Sequence, residues 1–207
     1  MSILSPFGLV RNIVCAIVLC SLALPAAARH TETPKTPGTY QNWGPDIDRV
    51  QIVKTFRLAD YQRIVLVPLE TDEVRLPEPS DNTYTPVIEM LPKVSEELAA
   101  GIGSKVSQQL VIGTSDAKPE KAIIIRGKVT LLDPGSKAAR YWGGFGAGAV
   151  KVEIHCEIVD ATSGDALVVF TQQRRSGFGA FGGGYADLMV RTVHQLGDDV
   201  ANLLKQF

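Results

Sequence analysis

Val150-Lys-Val-Glu-Ile-His-Cys-Glu-Ile158 is the clearest alternation in the chain. Val150, Val152, Ile154, Cys156 and Ile158 share one parity, and Lys151, Glu153, His155 and Glu157 share the other. Successive side chains of a strand point to opposite faces, so this period of two predicts a strand with an apolar inner face and a wet outer face. Downstream, Asp160-Ala-Thr-Ser-Gly-Asp165 supplies turn chemistry, and residues 166–175 (ALVVFTQQRR) return as the partner strand of a hairpin. Upstream, residues 122–133 (AIIIRGKVTLLD) read as another strand, with Ile123, Ile125, Val129 and Leu131 inward and Arg126, Lys128 and Thr130 outward.

Further out the period changes. From Lys93, the residues Val94, Leu98, Ile102, Val106 and Leu110 fall four apart and form the apolar stripe of a helix. Gly101 and Gly103 weaken that helix by ~1 kcal/mol each, so packing must hold it. Residues 61–70 (YQRIVLVPLE) contain the first strand, which Pro68 places at an edge or terminates. Residues 74–92, with Pro77, Pro79, Pro86 and Pro92, read as a long loop. A last helix, from about Tyr185 to Lys205, carries Met189, Val193, Leu196, Val200, Leu203 and Leu204 on one side, with Arg191, Gln195, Asp198, Asp199 and Asn202 largely opposite. The order β-α-β-β-β-α predicts a two-layer α/β sandwich: a mostly antiparallel sheet of about four strands, with two helices on one face.

At the N-terminus, Arg11 precedes the apolar run 13–24 and the small residues of Pro25-Ala-Ala-Ala28. Twelve apolar residues are short for a helix crossing a bilayer, which takes ~20. The pattern is that of a secretory signal peptide, with cleavage expected after Ala28. Cys20 follows Ile17-Val-Leu19 and lacks the small residue that a lipid-attachment motif places before its cysteine, so a soluble exported protein is expected in the periplasm or cell envelope. Residues 29–49, rich in Thr, Pro and Gly, read as a flexible lead, and 50–207 as one α/β domain. With 21 basic against 22 acidic residues the chain has no charge excess suited to a nucleic acid. Cleavage would remove Cys15 and Cys20 and leave Cys156 without an internal disulfide partner.

Two glycine clusters need a physical reading. Gly177, Gly179 and Gly182 match G-x-G-x-x-G, but that fingerprint binds a dinucleotide only where the following helix leads to a second parallel strand bearing an acid. Here the last helix and then the chain end follow, so a permissive strand-to-helix connection is the expected role. Gly144, Gly146 and Gly148 continue the inward parity of Val150, which assigns them to close backbone packing. Beside them, Arg140, Tyr141, Trp142 and Phe145 offer a guanidinium and aromatic rings to a partner protein, glycan or lipid headgroup.

Residues 131–165 (LLDPGSKAARYWGGFGAGAVKVEIHCEIVDATSGD), together with 56–67 (FRLADYQRIVLV), resemble a family of bacterial envelope proteins known as domain of unknown function 4410. The resemblance runs from about Phe56 onward. It implies export and a small α/β domain, and it brings no established activity and no catalytic residues. Members of that family are often lipoproteins, a point on which Cys20 departs from the pattern.

For chemistry, Glu153, His155 and Glu157 share one strand face, but cross-strand pairing with Arg126, Lys128 and Arg175 accounts for the carboxylates without a metal. Ser136 and Ser176 lack a nucleophile elbow. Cys156 has inward parity and reads as an inert buried thiol. No catalytic residue, metal or cofactor is assigned. The expected function is a non-enzymatic envelope accessory that binds another envelope protein or component through Arg140, Tyr141, Trp142, Gly144, Phe145, Gly146 and Gly148. The alternatives are a hydrolase or transferase on an envelope polymer, using Glu153 with Glu157 or Asp133 with Asp160, and a self-associating structural protein using an exposed strand.

Overall fold

The five inward residues of the opening stretch are all buried, and the charged set opposite them is not. The computed structural model describes residues 33–114, 120–135, 148–176 and 184–207, within the compact unit Thr33–Phe207. In chain order the described elements are β1 (Gly38–Trp43), β2 (Ile47–Ile52), β3 (Arg63–Leu66), α1 (Tyr84–Met90), α2 (Val94–Gly103), β4 (Gln109–Ile112), β5 (Ala122–Asp133), β6 (Val150–Asp160), β7 (Ala166–Ser176) and α3 (Tyr185–Leu204). The strands form one sheet in the order β1-β2-β7-β6-β5-β3-β4.

This corrects the expected fold class. The architecture is α/β, but the sheet has seven described strands and is mixed, where about four mostly antiparallel strands were expected. β3 lies parallel to both β4 and β5, and the other neighbours are antiparallel. Parallel neighbours need a crossover, and α1 and α2 supply it between β3 and β4. Three short strands escaped the sequence reading. β1 and β2 lie in the stretch read partly as a flexible lead, yet they form a hairpin whose second strand pairs with β7. β4 occupies the end of what read as a continuous helix: α2 stops at Gly103, and Leu110 sits on β4 instead. Within the expected loop 74–92, Tyr84–Met90 forms α1, with Pro86 in the first turn where its missing N–H costs nothing.

One main core lies between the sheet and the helices. Ile64 and Leu66 from β3, Ile123, Ile125 and Val129 from β5, and the inward set of β6 meet Leu98 and Ile102 of α2 and Met189, Val193, Leu196 and Val200 of α3. Each fully buried side chain of this size contributes about 1.5–3 kcal/mol. A bulge between Val129 and Leu131 adds one residue to β5 and reverses the parity beyond it. Leu132, not Leu131 as expected, therefore turns into the core. On the other face a smaller cluster of Val65, Ala122, Ile124, Val159 and Ala161 gathers at one end, with Val67 and Val111 against it, and most of the rest of that face is polar. β3 is thus apolar on both sides, as a strand flanked by parallel neighbours commonly is.

α2 and α3 cross at two glycines. A Cβ on Gly101 would meet the His194 carbonyl oxygen, and one on Gly197 would meet the Leu98 carbonyl oxygen. The glycine that weakens α2 intrinsically thus lets the two backbones touch.

Candidate functional site

The outer face of the sheet presents two rows of side chains running across the strands. In the first, Arg49 of β2 stands opposite Thr171 of β7, Thr171 opposite His155 of β6, and His155 opposite Lys128 of β5. In the second, Gln51, Val169, Glu157 and Arg126 follow in the same strand order. Neighbouring strands lie about 4.8 Å apart, so the first row spans roughly 14 Å. A hollow of about 680 Å³ over this face is lined by residues including Val67, Glu70, Arg126, Lys128, His155 and Glu157. A smaller one of about 150 Å³ continues from His155 and Val169 to Arg49 and Gln51.

Most of the polar groups are held by neighbours. Arg126 Nε donates to Glu157 Oε1 at 2.5 Å, and Lys128 Nζ donates to Glu73 Oε1 at 2.6 Å. That carboxylate partner raises the Lys128 value. His155 Nδ1 and Thr171 Oγ1 are 2.9 Å apart. Glu153 accepts from Thr130 Oγ1 at 2.7 Å and from Gln173 Nε2 at 3.1 Å. Cross-strand pairing thus holds for Glu157 with Arg126, whereas Glu153 is bound by a hydroxyl and an amide, Lys128 turns to Glu73, and Arg175 Nε reaches Gln173 Oε1.

The carboxylates considered for hydrolysis do not come together. Glu153 and Glu157 are four positions apart on one strand, about 13 Å at ~3.3 Å per residue. Asp133 and Asp160 sit at opposite ends of the β5–β6 ladder, roughly 30 Å apart by the same rise. Glycosidase carboxylates stand only ~5–9.5 Å apart. Asp160 instead organises the β6–β7 turn: its Oδ1 accepts the Thr162 and Ser163 N–H groups at 2.9 and 2.8 Å, and its Oδ2 accepts the Tyr61 hydroxyl at 2.7 Å. The Ser163 N–H is the main cause of its lowered value. Cys156 is buried, and burial pushes its thiol well up, as expected of an inert core cysteine.

Of the expected partner-binding residues, Arg140, Tyr141, Trp142, Gly144, Phe145 and Gly146 lie outside the described residues, as do Gly177, Gly179 and Gly182. Gly148 is described, and its φ of 71° places it in a left-handed turn before β6. It does not extend the strand, so the inward parity expected for it stops at Val150.

Sequence reasoning also missed a buried polar cluster on the helix side. Inward positions of β7 turn polar at Gln172 and Arg174, and α3 meets them with Asp199, only 2% exposed. Arg174 donates to Asp199 Oδ1 at 2.8 Å, Gln172 Nε2 donates to Oδ2 at 2.9 Å, and Arg174 lies 3.9 Å from Asp46 in the β1–β2 turn. Burial pushes the Asp199 carboxyl up to about 6 against the lowering by Gln172 and Arg174. Asp199 was expected on the wet side of its helix. The inward parity of Gln172 and Arg174 is the signal that marks a polar partner opposite.

The model of the family described as Domain of unknown function (DUF4410) matches residues 67–180, which include β4 to β7 and the whole Gly-rich β5–β6 connection. The chain belongs to the DUF4410 family. No curated protein matches it. Among solved structures, this DUF4410 chain is similar to the PelC dodecamer from Paraburkholderia phytofirmans, at 13% identity over 73% of this chain and 96% of that one, with a TM-score of 0.46. It is also similar to the hypothetical protein CT253 from Chlamydia trachomatis, at 7% identity over 70% and 98%, with a TM-score of 0.45. A third is protein XCC0632 from Xanthomonas campestris, at 10% identity over 70% and 86%, with a TM-score of 0.41.

Proposed function

We propose that this DUF4410 chain is an exported, non-enzymatic binding module of the bacterial cell envelope, processed after Ala28, that holds another envelope protein or component against the outer face of its sheet. The carrying observation is the pair of transverse rows centred on His155. They put cationic, amide and carboxylate groups from four strands over two adjoining hollows that share His155 and Val169, on the face opposite the helices. Sites on a rigid sheet hold their geometry, and a connection beside them can add contacts. Arg140, Tyr141 and Trp142, in the connection that leaves β5 and enters β6, are the residues proposed to complete the surface. The polar side chains of the rows brace one another across strands, which suits recognition better than proton transfer.

The experiment is photocrosslinking in cells, with the reactive group placed at position 155, at 142 or, as a control, at the exposed α3 position 191. The same partner captured from 155 and 142 but not from 191, and lost when Arg49→Glu and Lys128→Glu are combined, is the expected result. Capture that does not depend on position rejects the reading. The intact mass of the purified protein checks export, with a mature chain starting at Arg29 expected and an acylated Cys20 as the contrary result.

A further inference from the structure

We propose a second binding site, at the β4 edge of the sheet: β4 accepts an extended peptide as an added strand, and a hollow beside Ile112 takes one of the peptide's apolar side chains. β4 pairs with β3 on one side and ends the sheet on the other among the described residues. Gln109 donates its N–H to the Gln62 carbonyl at 3.0 Å, and Gly113 donates to the Leu66 carbonyl at 3.0 Å. In a parallel ladder alternate residues bond the same neighbour, so the N–H and C=O groups of Leu110 and Ile112 point away from β3, to the free edge. Such a row of groups, unpaired among the described residues, is a template for another strand.

The edge also carries features that select what pairs there. Ile112 is 44% exposed, although it is a large aliphatic residue. It borders a hollow of about 580 Å³ also lined by Leu69, Leu91, Pro92, Ser95 and Glu96. Ser95 Oγ is engaged by the Leu69 N–H at 2.9 Å, whereas Glu96 has no ion-pair partner among the described residues. An incoming strand beside β4 would turn alternate side chains to the helix side, where Ile112 and the hollow lie. The fitting ligand is therefore an extended peptide with an apolar and a basic residue two positions apart, so that both turn to the helix side, the apolar side chain against Ile112 and Leu91 and the cation beside Glu96. Proline, lysine and a bulge, three protections of an edge strand, are absent from Gln109-Leu-Val-Ile112, whose four residues limit the added ladder to a short peptide.

Two blocked synthetic peptides test this, both with Thr at every second position; the positions between alternate Val with Lys in one (the Lys-Val peptide) and Val with Glu in the other (the Glu-Val peptide), and each is titrated into isotope-labelled protein of residues 29–207. The Lys-Val peptide is expected to bind and to shift the amide resonances of Leu110 and Ile112, and the Glu-Val peptide to bind at least tenfold more weakly. Ile112→Pro removes one outward donor and leaves the inward bonds of Gln109 and Gly113 in place, so it should abolish binding while the remaining spectrum is preserved. If that variant fails to fold, Glu96→Lys gives an independent reading, a reversed preference for the Glu-Val peptide. Binding that leaves the Leu110 and Ile112 amides unmoved, no binding of either peptide, or an edge already occupied by a second copy in sedimentation overturns the proposal.

Discussion

Asp199 shows how one side chain can set the response of the fold to pH. Its carboxyl is buried between β7 and α3, and its value of about 6 stands above the ordinary carboxylate range. Between about pH 4 and pH 6 the folded protein keeps a proton there that the unfolded chain has released. This group's contribution is therefore fully present below about pH 4 and is lost as pH rises through 6, by on the order of 2 kcal/mol. Asp199→Asn should remove that slope, so urea midpoints of the two proteins should converge or cross as pH rises from 4.5 to 7. A parallel pair of curves would contradict the assignment. Arg174→Ala should cost about 1–3 kcal/mol at pH 7, because the carboxyl that loses its cation can escape only by taking up a proton, and clearly less at pH 5, where it already holds one.

Where elements meet, the tightest constraint is the α2–α3 crossing. Alanine is the better helix former by ~1 kcal/mol, yet at Gly101 or Gly197 its Cβ would run into the backbone of the other helix. The helices must then separate and uncover part of the core, so Gly101→Ala and Gly197→Ala should each lower stability by about 1–3 kcal/mol in thermal unfolding. Gly103→Ala is the control: its nearest new contact is the Leu110 side chain at 3.9 Å, and it should be neutral or stabilising. The long alternating elements β5, β6 and β7 were legible because a buried face written over many residues fixes both period and parity. β1, β2 and β4 were not, since four to six residues amid Gly, Pro and polar neighbours leave too few turns of the pattern to recognise. Even so, Val50 and Ile52 mark the inward face of β2, and Arg63-Ile-Val-Leu-Val67, apolar on both faces, carried the sign of a strand with parallel neighbours. Likewise His155, Glu153 and Glu157 were legible as outward residues, but their assembly into rows with Arg49 and Lys128 depends on register between strands distant in sequence.

Across the whole molecule, the two ends of the described unit are fastened together. Trp43 at the end of β1 is buried, donates its Nε1–H to the Pro34 carbonyl at 2.6 Å, and stacks on Phe207 with ring centroids 5.6 Å apart. Phe207 in turn stacks on Phe56 at 4.6 Å, so the last residue lies between rings from both sides of β2 in sequence. The Asp46 turn binds the same region to α3 through Asn202, whose Nδ2 donates to Asp46 Oδ2 at 2.9 Å. The β1–β2 hairpin is thus part of the core and also covers the β7 edge from Val168 to Thr171, whose backbone groups would otherwise be left unpaired. Trp43→Ala should cost about 3–5 kcal/mol, as loss of a buried aromatic does. A chain starting at residue 53 should lose more than stability, because it bares both the apolar groups under Val50 and Ile52 and the free β7 ladder. Sedimentation should then show concentration-dependent association or precipitation of the shortened chain under conditions where residues 29–207 sediment with an unchanged coefficient. If the shortened chain instead sediments as a folded species of constant size, β7 does not need its cover, and the hairpin belongs to the surface and not to the core.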